Sequence, residues 1–186
     1  RANDIRLMEA LPAPWLSRSA ADRLRFRGEC APGEHYPWQI GVYAPYEALH
    51  NVTVGFSDFK SENGRSIPKS ALRCVNLGGV DKDGRRFVKR VDVPEGKLQV
   101  LWIGADVPLT ASGPYRGTMT LRAEGVPATT FDITLDVQGE PLPDGGVQDA
   151  WRKSRIRWIN STIGRAEQPT APYTPLERSA ETLSYL

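Results

Sequence analysis

Few residues in this chain have the types that perform acid–base, nucleophilic or metal chemistry. There are two histidines. His35 lies on the polar phase of an alternating segment, and His50 sits beside Asn51 in a loop. No serine or cysteine nucleophile motif accompanies either, and G-x-S-x-G is absent, so both read as surface histidines rather than catalytic bases. The acids Glu29, Glu34, Asp58, Glu62, Asp81 and Asp83 are scattered. A glycosidase needs two carboxylates facing each other across a sugar, and no spacing here suggests such a pair. Asp81-Lys82-Asp83-Gly84 faintly resembles a calcium loop, but its sixth and twelfth positions are Arg86 and Asp92, so a hairpin turn is the better reading. Cys30 and Cys74 come without CxxC or HxxxH spacing, which argues against a metal site. Both fall on apolar phases; two buried free thiols is the favoured reading and a disulfide the alternative. No catalytic residue and no cofactor is called for.

One cluster stands out. Arg152, Lys153, Arg155, Arg157 and Arg165 interleave with Trp151 and Trp158. Such a mixture can bind single-stranded nucleic acid by stacking and phosphate contact. It can equally dock one domain on the next, arginine stems and indoles covering apolar surface. A net charge of +2 and the lack of a nucleic-acid motif favour docking. Trp151, Arg155, Arg157 and Trp158 are therefore the candidate residues, for interdomain docking or for carbohydrate. Trp15, Trp151 and Trp158 are the candidates for stacking on sugar rings, whereas Trp38 and Trp102 fall on core phases. Asn51-Val52-Thr53 and Asn160-Ser161-Thr162 are sequons, meaningful only in an exported protein of a glycosylating source.

The elements that carry these residues are strands. Arg23 to Cys30 alternates, with Arg23, Arg25, Arg27 and Glu29 against Leu24, Phe26 and Cys30. His35 to Ala44 places Tyr36, Trp38, Ile40, Val42 and Ala44 on one face, and Val52, Val54 and Phe56 form a third strand. Leu72 to Leu77 is a fourth, broken by Gly78-Gly79, and Asp83-Gly84 turns the chain into Arg86 to Val93. Leu98 to Ala105 is apolar on both faces, as a central or covered strand would be. Ser112-Gly113-Pro114-Tyr115 has the form of a tyrosine corner, in which the hydroxyl bonds back to the backbone. It opens the pair Tyr115 to Ala123 and Thr130 to Val137. With 17 Gly and 15 Pro between strands, this pattern predicts an all-β fold, an immunoglobulin-like two-sheet antiparallel β-sandwich with an irregular N-terminal arm and a C-terminal extension. The expected division is an arm over 1–20, the sandwich over 21–139, and a linker and docking segment over 140–186. Glu181 to Leu186 reads as the start of a strand, and the whole as a piece of a longer precursor with something folded after it. No apolar run is long enough for a transmembrane helix.

Several segments together resemble a known group. They are Gly33-Glu34-His35-Tyr36-Pro37-Trp38-Gln39-Ile40-Gly41-Val42-Tyr43-Ala44, Asn76-Leu77-Gly78-Gly79, Ser112-Gly113-Pro114-Tyr115-Arg116-Gly117-Thr118, and Trp151 through Gly164 (WRKSRIRWINSTIG). In this order they resemble the N-terminal region of large bacterial glycoside-hydrolase-domain-containing proteins, similar to glycoside hydrolase family 123, which acts on N-acetylgalactosaminides. The resemblance implies a sandwich preceding a (β/α)8 barrel that carries the acidic catalytic pair, in an exported protein: secreted, periplasmic or at the cell surface. It transfers no catalytic residue, because the chain contains no barrel. The expectation is a non-catalytic accessory domain bracing the catalytic region, its partners the following domains of the same parent chain, with neither nucleic acid nor membrane. A carbohydrate-binding module contacting glycan directly is the alternative.

Overall fold

The computed structural model describes residues 19–142, 169 and 172–184. It is mostly strand, in two main sheets packed face to face. A short helix α1 (Ala20–Arg23), capped by Ser19 whose hydroxyl accepts from the Asp22 amide, precedes the sandwich. Arg23 thus closes a helical turn, and the first strand, β1, is Arg25–Cys30. There follow β2 (His35–Tyr43), β3 (Thr53–Phe56), β4 (Phe59–Ser61), β5 (Ser66–Ile67), β6 (Leu72–Cys74), β7 (Gly78–Val80) and β8 (Arg86–Val88). The long strands β9 (Leu98–Asp106), β10 (Gly113–Arg122) and β11 (Thr129–Val137) complete the sandwich, and β12 (Glu177–Ser179) and β13 (Thr182–Ser184) form a separate hairpin. The strand expected at Glu181 to Leu186 is thus present as β13, turning back on β12. No helix among the described residues is long and apolar enough to cross a membrane.

One sheet runs β1-β11-β10-β4-β5, with β3 also pairing β10; the other runs β2-β9-β6. The chain changes sheets at once, between β1 and β2, through the turn Ala31–Glu34. There the Glu34 carboxylate accepts the Ala31 amide at 2.8 Å. Because β1 leaves its sheet at that turn, its edge is completed by the last strand: β1 pairs β11 in parallel, Arg25 opposite Asp132 and Cys30 opposite Val137. The expectation was antiparallel throughout, and β1 is the departure. On the outer face of this pair Arg27 meets Asp136 at 3.3 Å, a surface pair that contributes little.

The alternation read from the sequence is the alternation in space. Phe131, Ile133, Leu135 and Val137 of β11 are buried and join one core with Trp38, Ile40, Val42, Leu101, Ile103, Phe59, Tyr115 and Met119. Trp38 stacks on Phe26 across the sheets, ring centroids 5.3 Å apart. Tyr115 is 1% exposed, its ring packed into this core at the start of β10. The fourth strand is shorter than its pattern: β6 ends at Cys74, and Val75–Leu77 is a tight helical turn. There the Asn76 amide replaces a strand, donating to the Val100 carbonyl at 3.1 Å and accepting from the Trp102 amide at 2.6 Å.

Both cysteines are free, Cys30 buried and Cys74 partly so. Burial, with the Glu34 and Asp136 charges, pushes the Cys30 thiol up to about 12. Burial raises Cys74 to about 11, partly opposed by amides of Asn76 and Leu77. In the unfolded chain both would titrate near 9.0, so between about pH 9 and 12 the unfolded state sheds protons that the folded state keeps. Stability therefore falls as pH rises through that window. Urea unfolding midpoints should be lower at pH 10.5 than at pH 8, and iodoacetamide at pH 8 should label either thiol only in denaturant.

Candidate functional site

Among the described residues, a cluster of ionisable side chains built around the buried His35 bridges three strands at one end of the smaller sheet. Strands β2 and β9 pair along their full length in antiparallel register, so their ends coincide and His35 stands opposite Asp106. On the other side of β9, β6 places Arg73 opposite Gly104. Paired residues and those two positions on share a face, so His35, Gly104, Asp106 and Arg73 all occupy the outer face of this sheet. The imidazole Nδ1 lies 2.7 Å from Asp106 Oδ1. Arg73 Nη2 lies 3.2 and 3.1 Å from the two Asp106 carboxylate oxygens and 3.1 Å from His35 Nδ1. One nitrogen cannot donate to the carboxylate and accept from the guanidinium together. The shorter contact, to a formal anion, assigns the Nδ1 proton as donated to Asp106, and Arg73 then donates to the same carboxylate.

His35 is not the surface residue its phase suggested: its side chain is 1% exposed. The physical reason is that this sheet is apolar on both faces. Pro37, Val100 and Gly104 of the same outer face are buried with it, so a polar phase here is not a solvent phase. The apolar doubling of β9 was the available signal. The ring lies directly over Gly104, where a Cβ would come within 2.8 Å of Cε1 and Nε2. Nε2 is buried and finds no hydrogen-bond partner among the described residues. A carboxylate-oriented imidazole has the form of a general base, but a base must reach its substrate, and this one is closed off. What the arrangement can do is join three strands: β2, β9 and β6 share one carboxylate.

His50 is exposed, as expected, with Nδ1 3.9 Å from Asp92. The Asp92 carboxyl is held below the usual carboxylate range by the Asn51 amide first and the Arg90 guanidinium next. Trp38 is 2% exposed and belongs to the core, as expected; Trp102, expected there too, is instead half-buried on the outer face of its sheet, opposite Gln39. Trp151, Arg155, Arg157 and Trp158, and Trp15 with them, lie outside the described residues. Asp81, read as a turn residue, is one: its Oδ1 accepts the amides of Asp83 and Arg85, both at 2.8 Å. Among the described residues no group of His, Cys, Asp or Glu is placed to hold a metal ion.

The way the chain leaves the sandwich is fixed. The Gln138 amide donates to the Cys30 carbonyl and the Leu142 amide to the Pro32 carbonyl, both at 2.8 Å, extending the β1–β11 pairing past the last strand. The Leu142 carbonyl packs on Gly33 at φ +76°.

No protein-family model matches the sequence, and no curated protein is similar to it. Among solved structures it is similar to a family 123 glycoside hydrolase from Clostridium perfringens, described for glycolipid glycan hydrolysis. That likeness has a TM-score of 0.54 and 20% identity, covering 64% of this chain and 24% of that one. A Bacteroides ovatus GH5 xyloglucanase matches at TM-score 0.36 and 12% identity, over 66% of this chain and 19% of that one. The periplasmic chaperone SfaE matches at TM-score 0.40 and 8% identity, over 64% of this chain and 57% of that one. The chain thus spans under a quarter of the family 123 enzyme, and their likeness is one of fold: an immunoglobulin-like β-sandwich.

Proposed function

We propose that this chain is a non-catalytic accessory sandwich of a glycan-acting protein, bracing a neighbouring catalytic domain. The observation that carries the reading is the pinned exit: Gln138 is hydrogen-bonded to the end of β1 and Leu142 to the β1–β2 turn, so whatever follows departs from a fixed point on the sandwich rather than from a loose tether. The sheltered His35 supports it, because the one oriented imidazole serves strand pairing. The match of this fold to part of a much larger glycoside hydrolase is in keeping with a modular role. In this reading Trp151, Arg155, Arg157 and Trp158 cover apolar surface between domains.

The test is a neutral-glycan array probed with the purified chain, alongside Trp151→Ala and Trp158→Ala. A bracing domain leaves the neutral array blank. Saturable binding lost in either variant would replace the bracing role with a carbohydrate-binding module.

A further inference from the structure

The β7–β8 hairpin is firmly built yet presents an uncovered surface. Asp81 caps its turn, Gly84 at φ +76° makes the reversal, and the Lys89 amide donates to the Leu77 carbonyl at 2.9 Å. At Gly78, φ +152°, a side chain would run into the Phe87 carbonyl, so the two strands approach at a point only glycine permits. Gly79 and Gly78 stand opposite Phe87 and Val88, and nothing across the ribbon shields them. Val88 is 92% exposed and Phe87 47%.

These two apolar residues sit inside Arg85-Arg86-Phe87-Val88-Lys89-Arg90. By strand alternation one side of the ribbon reads Arg85, Phe87, Lys89 and the other Arg86, Val88, Arg90. Each side is cation, apolar, cation. Arg90 is committed to Asp92, both oxygens at 3.0 Å, and Arg85 lies only loosely near Asp83 at 3.9 Å. Arg86 and Lys89 are exposed and form no ion pair with a described residue. Arg85 and Lys89, the one only loosely paired and the other unpaired, thus flank the half-exposed Phe87 on one side of a rigid ribbon, a preorganised surface for a polymer whose anionic groups and apolar faces alternate.

We infer that the β7–β8 hairpin binds an acidic polysaccharide, its carboxylate or sulfate groups meeting Arg85 and Lys89 and the C–H face of a sugar ring between them covering Phe87. The inference rests on the glycan-related reading above and names a ligand class for it. A nucleic acid would offer flat bases, for which a single half-exposed phenylalanine is a poor platform. A membrane would need a larger apolar face than one phenylalanine provides.

The experiment is affinity electrophoresis of the whole chain through gels holding a polyuronate, a sulfated polysaccharide or a neutral glucan. Single-stranded DNA and phosphatidylserine vesicles serve as competitors. Arg85→Ser/Lys89→Ser and Phe87→Ser are run beside it, their folding checked by thermal melting. Retardation by at least one acidic polymer is expected, weakening with salt, falling about tenfold or more in the charge variant (roughly two lost charge-assisted contacts) and measurably in the apolar variant. Absence of retardation, indifference to both variants, or preferential capture by DNA or vesicles would overturn the inference. Retardation by the neutral glucan alone would overturn it while leaving a glycan-related role intact; hydrolysis of substrate bears only on the accessory role.

Discussion

Replacing Phe59 by alanine is expected to cost about 3–5 kcal/mol of stability, the usual range for deleting a buried aromatic ring. Phe59 is 0% exposed and sits where β4 meets β10. Its ring lies against the bare Cα of Gly117, and a Cβ there would fall deep inside the contact distance of Phe59 Cδ1 and Cε1. Gly117→Ala alone should therefore overpack this corner and cost about 1–3 kcal/mol. The two changes are coupled. With the ring gone there is room for the methyl, so Phe59→Ala/Gly117→Ala should be more stable than the sum of the singles predicts, by on the order of 1 kcal/mol. Urea unfolding of the four proteins closes the cycle. Strict additivity would mean that β10 moves away from β4 instead of the ring being trapped between them.

The second expected result concerns the buried histidine. His35→Ala should lower stability by about 2–3 kcal/mol, combining a cavity with a carboxylate that loses its imidazole partner. Asp106→Ala should cost less, about 1 kcal/mol, because that side chain is 49% exposed and water replaces part of what is lost. Gly104→Ala would push the ring from its seat and should act in the same direction as His35→Ala. The readout that separates strand pinning from a catalytic role is hydrogen exchange. Amides of β6 and of the paired ends of β2 and β9 should lose protection together in His35→Ala. Loss confined to β2 would leave Arg73 and Asp106 sufficient to hold the third strand.

The sandwich was legible because its longest strands obey one simple rule. In β11 every second residue is apolar and buried, and in β2 the run Tyr36, Trp38, Ile40, Val42 could face only a core. Turns were legible where glycine carried the reversal, as at Gly84. What failed to show was anything set by pairing rather than by period. The parallel union of β1 with β11 joins segments distant in sequence, and nothing in either strand specifies which edge it will meet. The His35–Asp106–Arg73 cluster was hidden for the same reason: its members come from three strands, and only the β2–β9–β6 register brings them together. His35 was misplaced because alternation identifies two faces without saying that both are covered. Arg86 to Val93 was read as one strand, of which only Arg86–Val88 forms, and the exposure of Phe87 and Val88 follows from the glycines opposite, Gly79 and Gly78. Trp151, Arg155, Arg157 and Trp158 lie outside the described residues, so their docking role stays a proposal for the array to decide.

The central claim is that this sandwich supports chemistry done elsewhere and performs none. It is tested most directly by incubating the chain, purified to homogeneity, with a panel of aryl glycosides that includes the N-acetylgalactosaminide. His35→Ala and Asp106→Ala are assayed beside it. The account predicts release indistinguishable from the buffer blank for all three proteins. Turnover that survives purification and disappears in His35→Ala while the protein remains folded would contradict it, and would make the closed imidazole at the end of β2 an active-site group.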